Sequence, residues 1–149
     1  MKLVKFNAFG TGLFLITTTM GAMFFGQWKL VSAWVAGLLF AVGFVTMLMA
    51  FARAVTRSRT DAIGIGGLYF LAGKVAPGFV RRPMLVLLGV QVVVGLAGAI
   101  ARPFTPLAYG VLAPLFGLGL NGLWGARFGS FEPRNNAGTA PMGQNRNHG

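Results

Sequence analysis

The sequence predicts an all-α membrane protein in which four transmembrane helices form two antiparallel hairpins, joined by a cytoplasmic loop that carries a short interfacial helix. Composition is the first observation. Of the 149 residues 55% are hydrophobic and the mean hydropathy is +0.69, whereas apolar residues including Gly make up only about 45–50% of a soluble domain. Length is the second, because four apolar stretches approach the roughly 20 residues that cross about 30 Å of hydrocarbon as a helix. Charge is the third: thirteen Lys and Arg gather in every second gap between those stretches and are nearly absent from the others.

The first span covers about residues 8–26 and follows Lys2 and Lys5. A secretory signal shares that basic start, but no A-x-A-like site follows, and Trp28 and Lys29 lead directly into the next apolar stretch. The second span covers about residues 30–51, and the tight gap from Gln27 to Lys29 makes it an antiparallel neighbour of the first. Helix is the conformation open to both, since an open strand edge cannot be satisfied in lipid.

The long connection, residues 52–83, contains the apolar patch AIGIGGLYFLAG from Ala62 to Gly73. It is too short to span, so an interfacial or re-entrant segment is expected, capped by Thr60 or Asp61 and ended by Lys74 with Pro77. Gly64, Gly66, Gly67 and Gly73 each weaken a helix there by about 1 kcal/mol relative to Ala. Arg53, Arg57 and Arg59 before it, with Lys74, Arg81 and Arg82 after it, are candidate contacts for anionic lipid headgroups or for a docking partner. The third and fourth spans cover about residues 84–101 and 104–124, joined tightly through Arg102 and Pro103. Behind this single domain of residues 1–131, residues 132–149 are rich in Pro, Asn, Gly and Gln and are expected to form a disordered cytoplasmic tail.

Orientation follows from the same charges. With the N-terminus inside, the inner side carries Lys2, Lys5, Arg53, Arg57, Arg59, Lys74, Arg81, Arg82, Arg127, Arg134 and Arg146, and the outer side only Lys29 and Arg102. The positive-inside rule then makes the chain a multi-pass protein of a bacterial plasma membrane with both termini cytoplasmic. The net charge of +11 does not indicate nucleic acid, because these cations flank membrane-length spans instead of lining one face of a soluble fold.

Chemistry is marked by what the spans lack. None contains Asp, Glu, His, Lys or Arg, the groups that proton relays and ion pathways retain in hydrocarbon. His148 is the sole histidine, Asp61 and Glu132 are the acidic residues, and there is no Cys. No catalytic set, metal site or cofactor is expected, no small-molecule substrate is identified, and the chain does not read as an enzyme.

Packing chemistry remains. Gly89, Gly95 and Gly98 on the third span, and Gly117, Gly122 and Gly125 on the fourth, are candidates for close helix packing within the chain or against another subunit. Gln91 and Asn121 are amides within the membrane; Gln91 is expected to bond across the hairpin or to a carbonyl freed in the turn before Pro114, where the ring should kink the fourth span. Trp28, Trp34, Tyr109 and Trp124 read as interfacial belts.

Three runs carry a resemblance: GLYFLAGKVAP followed by VRRPM (Gly67 to Met84), AGAIARPFTPLAYGVLAPLFGLGLNGLWGARFG (Ala97 to Gly129), and FEPR (Phe131 to Arg134). In these the chain resembles a group of small four-helix integral membrane proteins of high-GC actinobacteria. That group is similar to small accessory membrane subunits beside actinobacterial complexes, such as the cytochrome bc–oxidase respiratory supercomplex. The resemblance implies lineage and carries over no catalytic residue. Together these readings point to a non-enzymatic accessory or assembly subunit whose partners are other integral membrane subunits and anionic lipids. A small homo-oligomeric transporter or channel, with a site near Gln91, Asn121 and Pro114, is the alternative; an anionic-lipid-binding scaffold is the third reading.

Overall fold

A computed structural model describes residues 2–24 and 26–133. Its elements are helical: α1 (Lys2–Met23), α2 (Trp28–Arg57), the short α3 (Ile65–Phe70), α4 (Gly78–Ala101), a 3₁₀ segment (Pro106–Leu112) and α5 (Pro114–Phe128). Three helices are long and apolar enough to cross a membrane, namely Trp28–Arg57, Gly78–Ala101 and the run Pro106–Phe128. The 22 residues of α1 include Asn7, Thr11 and the Thr17, Thr18, Thr19 run, which make it the more polar element. Its buried residues, Asn7, Gly10, Thr11, Phe14, Thr17, Thr18 and Gly21, recur every three or four positions and so form one stripe against the bundle.

Several element ends differ from the sequence expectation, each for a local reason. Helix α1 starts at Lys2 and stops at Met23, short of Gly26, whose φ of +122° only glycine adopts readily. Helices α2 and α4 run past the apolar stretches to Arg57 and from Gly78, so Arg53, Arg57, Arg81 and Arg82 ride on helix and not on loop. Charged residues are good helix formers, and nothing obliges a helix to end where its apolar run ends. Pro83 lies inside α4, near enough to its start that most of the helix continues unbroken.

The loop helix α3 is capped by neither Thr60 nor Asp61: its N-cap is Gly64, and Asp61 is bound to Arg57 instead. It ends at Leu71 in the left-handed conformation (φ 51°), before Lys74 and Pro77 are reached. Leu68 and Leu71 are buried, so α3 is tucked against α5 with Ile65 and Phe70 turned outward. Of the expected tail, Glu132 and Pro133 are described, and both are tied to the loop: Ala62 N–H donates to the Glu132 carbonyl at 2.9 Å, and Asp61 pairs with Pro133. Residues 134–149, with Arg134, Arg146 and His148, lie outside the described residues.

Helix directions follow from contact register. A Cβ at Gly43 of α2 would meet Leu115 and Phe116, one at Gly122 of α5 would meet Ala50, and Arg57 bonds Ala126 and Gly129, so α2 and α5 run parallel. Gly95 faces Gly110 and Gly98 faces Leu107, so α4 runs antiparallel to the final run. Thr18 lies at Gly98 and Asn7 at Gln91, which makes α1 parallel to α4. In consequence Lys2, Lys5, Arg53, Arg57, Arg59, Lys74, Arg81, Arg82 and Arg127 collect at one end of the bundle, and Lys29 and Arg102 at the other.

The most extensive packing is between α2 and α5, elements far apart in sequence. Backbone approach explains it: a Cβ at Gly43 would lie 2.5 Å from the Leu115 carbonyl, and one at Gly119 would collide with the Gly43 carbonyl and Thr46. Among the expected packing glycines, Gly95 abuts Gly110, Gly98 touches Thr18 and Leu107, and Gly117 touches Gln91. Gly122 and Gly125 receive Tyr69 and Leu68 of α3, so that face is covered from within the chain. Gly89 is different, with open space where a Cβ would stand, and it packs against nothing among the described residues. Trp124 does not join the expected interfacial belt. At 9% exposure it belongs to the core with Phe116 and Leu120, while Trp28, Trp34 and Tyr109 are exposed.

These contacts sort the glycines experimentally. Gly43→Ala and Gly95→Ala should each destabilise the folded chain by about 1–3 kcal/mol, because backbone must move to admit the methyl. Gly89→Ala should be neutral or stabilising by about 0.5–1 kcal/mol, since a helix interior prefers Ala where space allows. Unfolding midpoints in mild detergent measure both, and equal shifts for all three variants would refute the packing described.

Candidate functional site

Among the described residues, two polar networks of several partners each tie the helices together, beside the lone Thr18–Ser32 hydroxyl pair. The first forms where the last span breaks. The 3₁₀ turns of Pro106–Leu112 give way to α-helix at Pro114, whose ring cannot donate a backbone hydrogen bond. At this junction Phe116 N–H takes the Ala113 carbonyl at 2.9 Å, and Gly117 N–H is left to seek a partner elsewhere. It donates to Oε1 of Gln91 at 3.1 Å. Of the two partners expected from the sequence, the bond therefore runs across the hairpin, to a backbone donor and not to a freed carbonyl. Gly117 is needed as well, for a Cβ there would stand 2.6 Å from the same oxygen.

The other end of the Gln91 amide reaches α1. Its Nε2 donates to Asn7 Oδ1 at 3.0 Å and to Thr11 Oγ1 at 2.6 Å, and Thr11 Oγ1 donates in turn to the Asn7 carbonyl at 2.8 Å. Gln91 and Asn7 are fully buried, so both hydrogens and the oxygen of Gln91 are spent on protein partners in the bundle interior. This joins α1, α4 and α5 at one level. The contribution of Asn7 and Thr11 is absent from the sequence reading, although their spacing of four residues on one helical face is its signal.

Asn121 stands one turn beyond Gly117 on the same face of α5 and is fully buried too. Neither its Oδ1 nor its Nδ2 has a partner among the described residues, and Asn7 Nδ2 is likewise unpaired. A buried polar group left unpaired costs about 1–3 kcal/mol. Pro114 lines a lateral cleft of about 400 Å³ with Phe40, Leu88, Val92, Val111 and Leu118, an apolar lining that includes none of the amides.

The second centre closes the basic end. Arg57 donates through Nη2 and Nε to Asp61 Oδ2 at 2.8 and 3.1 Å, through Nη1 to the Ala126 carbonyl at 3.1 Å, and through Nη2 to the Gly129 carbonyl at 3.3 Å. Its guanidinium also lies 5.5 Å from the Phe131 ring centroid. Carbonyls in the last turn of a helix lack intrahelical partners, and a guanidinium fork suits several of them at once. Arg57 is therefore a structural clasp, in contrast to its expected place among headgroup contacts. Arg53, Arg59, Lys74 and Arg82 remain outward and exposed, and Arg81 is half-buried with Nη1 at 3.5 Å from the Gly73 carbonyl. Nearby, burial pushes the Tyr69 phenol above its ordinary range, and its hydroxyl donates to the Met47 carbonyl at 3.4 Å.

Among the described residues, no group of three His, Cys, Asp or Glu side chains gathers as a metal would require. Compared with protein-family models, with curated proteins and with solved structures, the chain matches none.

Opposite outcomes are expected for the two buried amides, Gln91 and Asn121. Gln91→Leu strands Gly117 N–H and removes the donor to Asn7 Oδ1 and Thr11 Oγ1, and should destabilise by about 1–3 kcal/mol, while Asn121→Leu removes an unpaired amide and should be neutral or stabilising. Thermal unfolding of the two variants under one detergent condition decides this. Strong destabilisation by Asn121→Leu would show that the amide has a partner in the folded protein.

Proposed function

We propose that the chain is a plasma-membrane protein of four spans, with both termini cytoplasmic, that acts without enzymatic chemistry as an accessory or assembly subunit of a larger membrane complex. The saturation of Gln91 by Asn7, Thr11 and Gly117 carries this reading, because it turns a buried polar centre that joins three helices inward. A path for a polar solute needs such groups accessible to water, and here they are spent on holding helices together. The surfaces left for interaction are lateral and basic. Trp34 (78% exposed), Leu38 and Val45 on α2, with Val86, Val93 and Ile100 on α4, offer apolar faces to lipid or to other integral membrane subunits.

The fourth span in this reading is α1. It runs alongside α4, presents Phe9 and Ile16 outward, and starts among the cations of the basic end. The collection of those cations at one end supports the inside-positive orientation. The complex to test first, on sequence resemblance alone, is a respiratory-chain supercomplex.

Purification of the tagged protein from its own membranes in a mild detergent, followed by mass spectrometry and a haem difference spectrum, tests the proposal. Other membrane subunits in fixed proportion are the expected result, and cytochrome subunits would name the complex. A homo-oligomer or monomer with no crosslinked neighbour would overturn it. The transporter alternative is separated by Gln91→Cys and Asn121→Cys in the cysteine-free chain: no labelling by a membrane-impermeant thiol reagent is expected, and rapid labelling of both would favour a water-accessible path.

A further inference from the structure

At the basic end, α1 and α5 leave between them a cleft of about 400 Å³ lined by Lys2, Leu3, Leu123, Trp124, Arg127 and Phe128. Its two kinds of wall are chemically distinct. Trp124 lies at the base, 9% exposed, with its ring centroid 5.9 Å from that of Phe128. Leu3 and Leu123 complete the apolar part, and Phe6 and Leu13, on the Leu3 side of α1, continue an exposed apolar surface away from the basic end. Lys2 and Arg127 supply the cations, both exposed, and Arg127 is steadied with its guanidinium 5.4 Å from the Phe128 ring centroid.

No carboxylate on the described chain balances them. Asp61 is committed to Arg57, and Glu132 lines a different cleft beside Lys74 and Ser130. Two cations above an apolar slot are complementary to a molecule with one anionic head and a hydrocarbon body. A free phosphate would meet the cations and leave the slot bare, and a zwitterionic lipid would bring its own cation against them. From this we infer that the cleft seats one anionic phospholipid, its phosphodiester between Lys2 and Arg127 and an acyl chain against Leu3, Leu123 and Phe128. The inference rests on the membrane reading above, with this end at headgroup level, and its site is separate from the cations of the long loop.

Trp124 is a reporter already in place. With Trp28→Phe and Trp34→Phe it becomes the sole tryptophan of the chain, and it can be followed in bilayers containing phosphatidylglycerol or phosphatidylcholine with brominated acyl chains. Quenching should reach half its maximum at about a thirtyfold lower mole fraction of the brominated phosphatidylglycerol, the scale expected for two cations near the surface. Adding Lys2→Gln and Arg127→Gln should abolish that preference, and Arg53→Gln with Arg59→Gln should leave it. Inorganic phosphate at millimolar concentration should not alter it. Equal quenching by the two lipids, a preference that survives Lys2→Gln with Arg127→Gln, or displacement by inorganic phosphate would each overturn the lipid seat while leaving the membrane reading intact. Absence of quenching by either lipid would overturn both.

Discussion

The arrangement depends on how closely α5 is approached. If these helices lie in lipid, as proposed, no hydrophobic effect draws one apolar helix to another, and association comes from contact area and from polar groups that meet across the gap. Gly119 and Gly43 bring the backbones of α5 and α2 together, Gly117 admits the Gln91 amide, and Gly122 with Gly125 admits α3. The shortest of the long helices is thereby the one that α1, α2, α3 and α4 all contact. Every other placement in the bundle is expressed relative to it.

That centrality is linked to the break at Pro114. A helix that begins within the bundle instead of at its edge exposes backbone donors where water cannot serve them. Gln91 resolves the problem at Gly117 and at the same time gains α1 through Asn7 and Thr11. A local defect in one helix has become the cross-link of three. The same economy operates at the basic end, where the carbonyls that close α5 are the acceptors that fix Arg57.

What could be read from the sequence follows how local each signal is. Apolar length and charge placement are properties of consecutive residues, so the long helical stretches and the gathering of cations at one end were legible. Gln91 and Asn121 stood out as isolated amides in apolar runs, whereas the Arg57–Asp61 pair was passed over, with Asp61 expected to cap α3 and Arg57 to meet headgroups or a partner. Helix ends were misjudged wherever charged helix formers extended an apolar run, as at Arg57 and Gly78. Asn7 was overlooked because it falls just before the apolar run, and Thr11 because a single hydroxyl within such a run can bond a carbonyl of its own helix. The parallel pairing of α2 with α5 needed knowledge of which glycines face each other across more than seventy residues, which no periodicity contains. Trp124 was misread because a tryptophan at the end of an apolar run looks the same whether a neighbouring helix covers it or not.

The clasp at Arg57 also constrains the order in which the protein can be completed. Its acceptors Ala126 and Gly129 lie 69 and 72 residues downstream, and a ribosome delivers α2 well before either carbonyl exists. Until the last helix emerges, the guanidinium has only Asp61 to hold, and the loop bearing α3 lacks the helix against which it is tucked. Closure of the basic end is therefore necessarily a late event in the biogenesis of the chain, and it records that synthesis has passed Gly129.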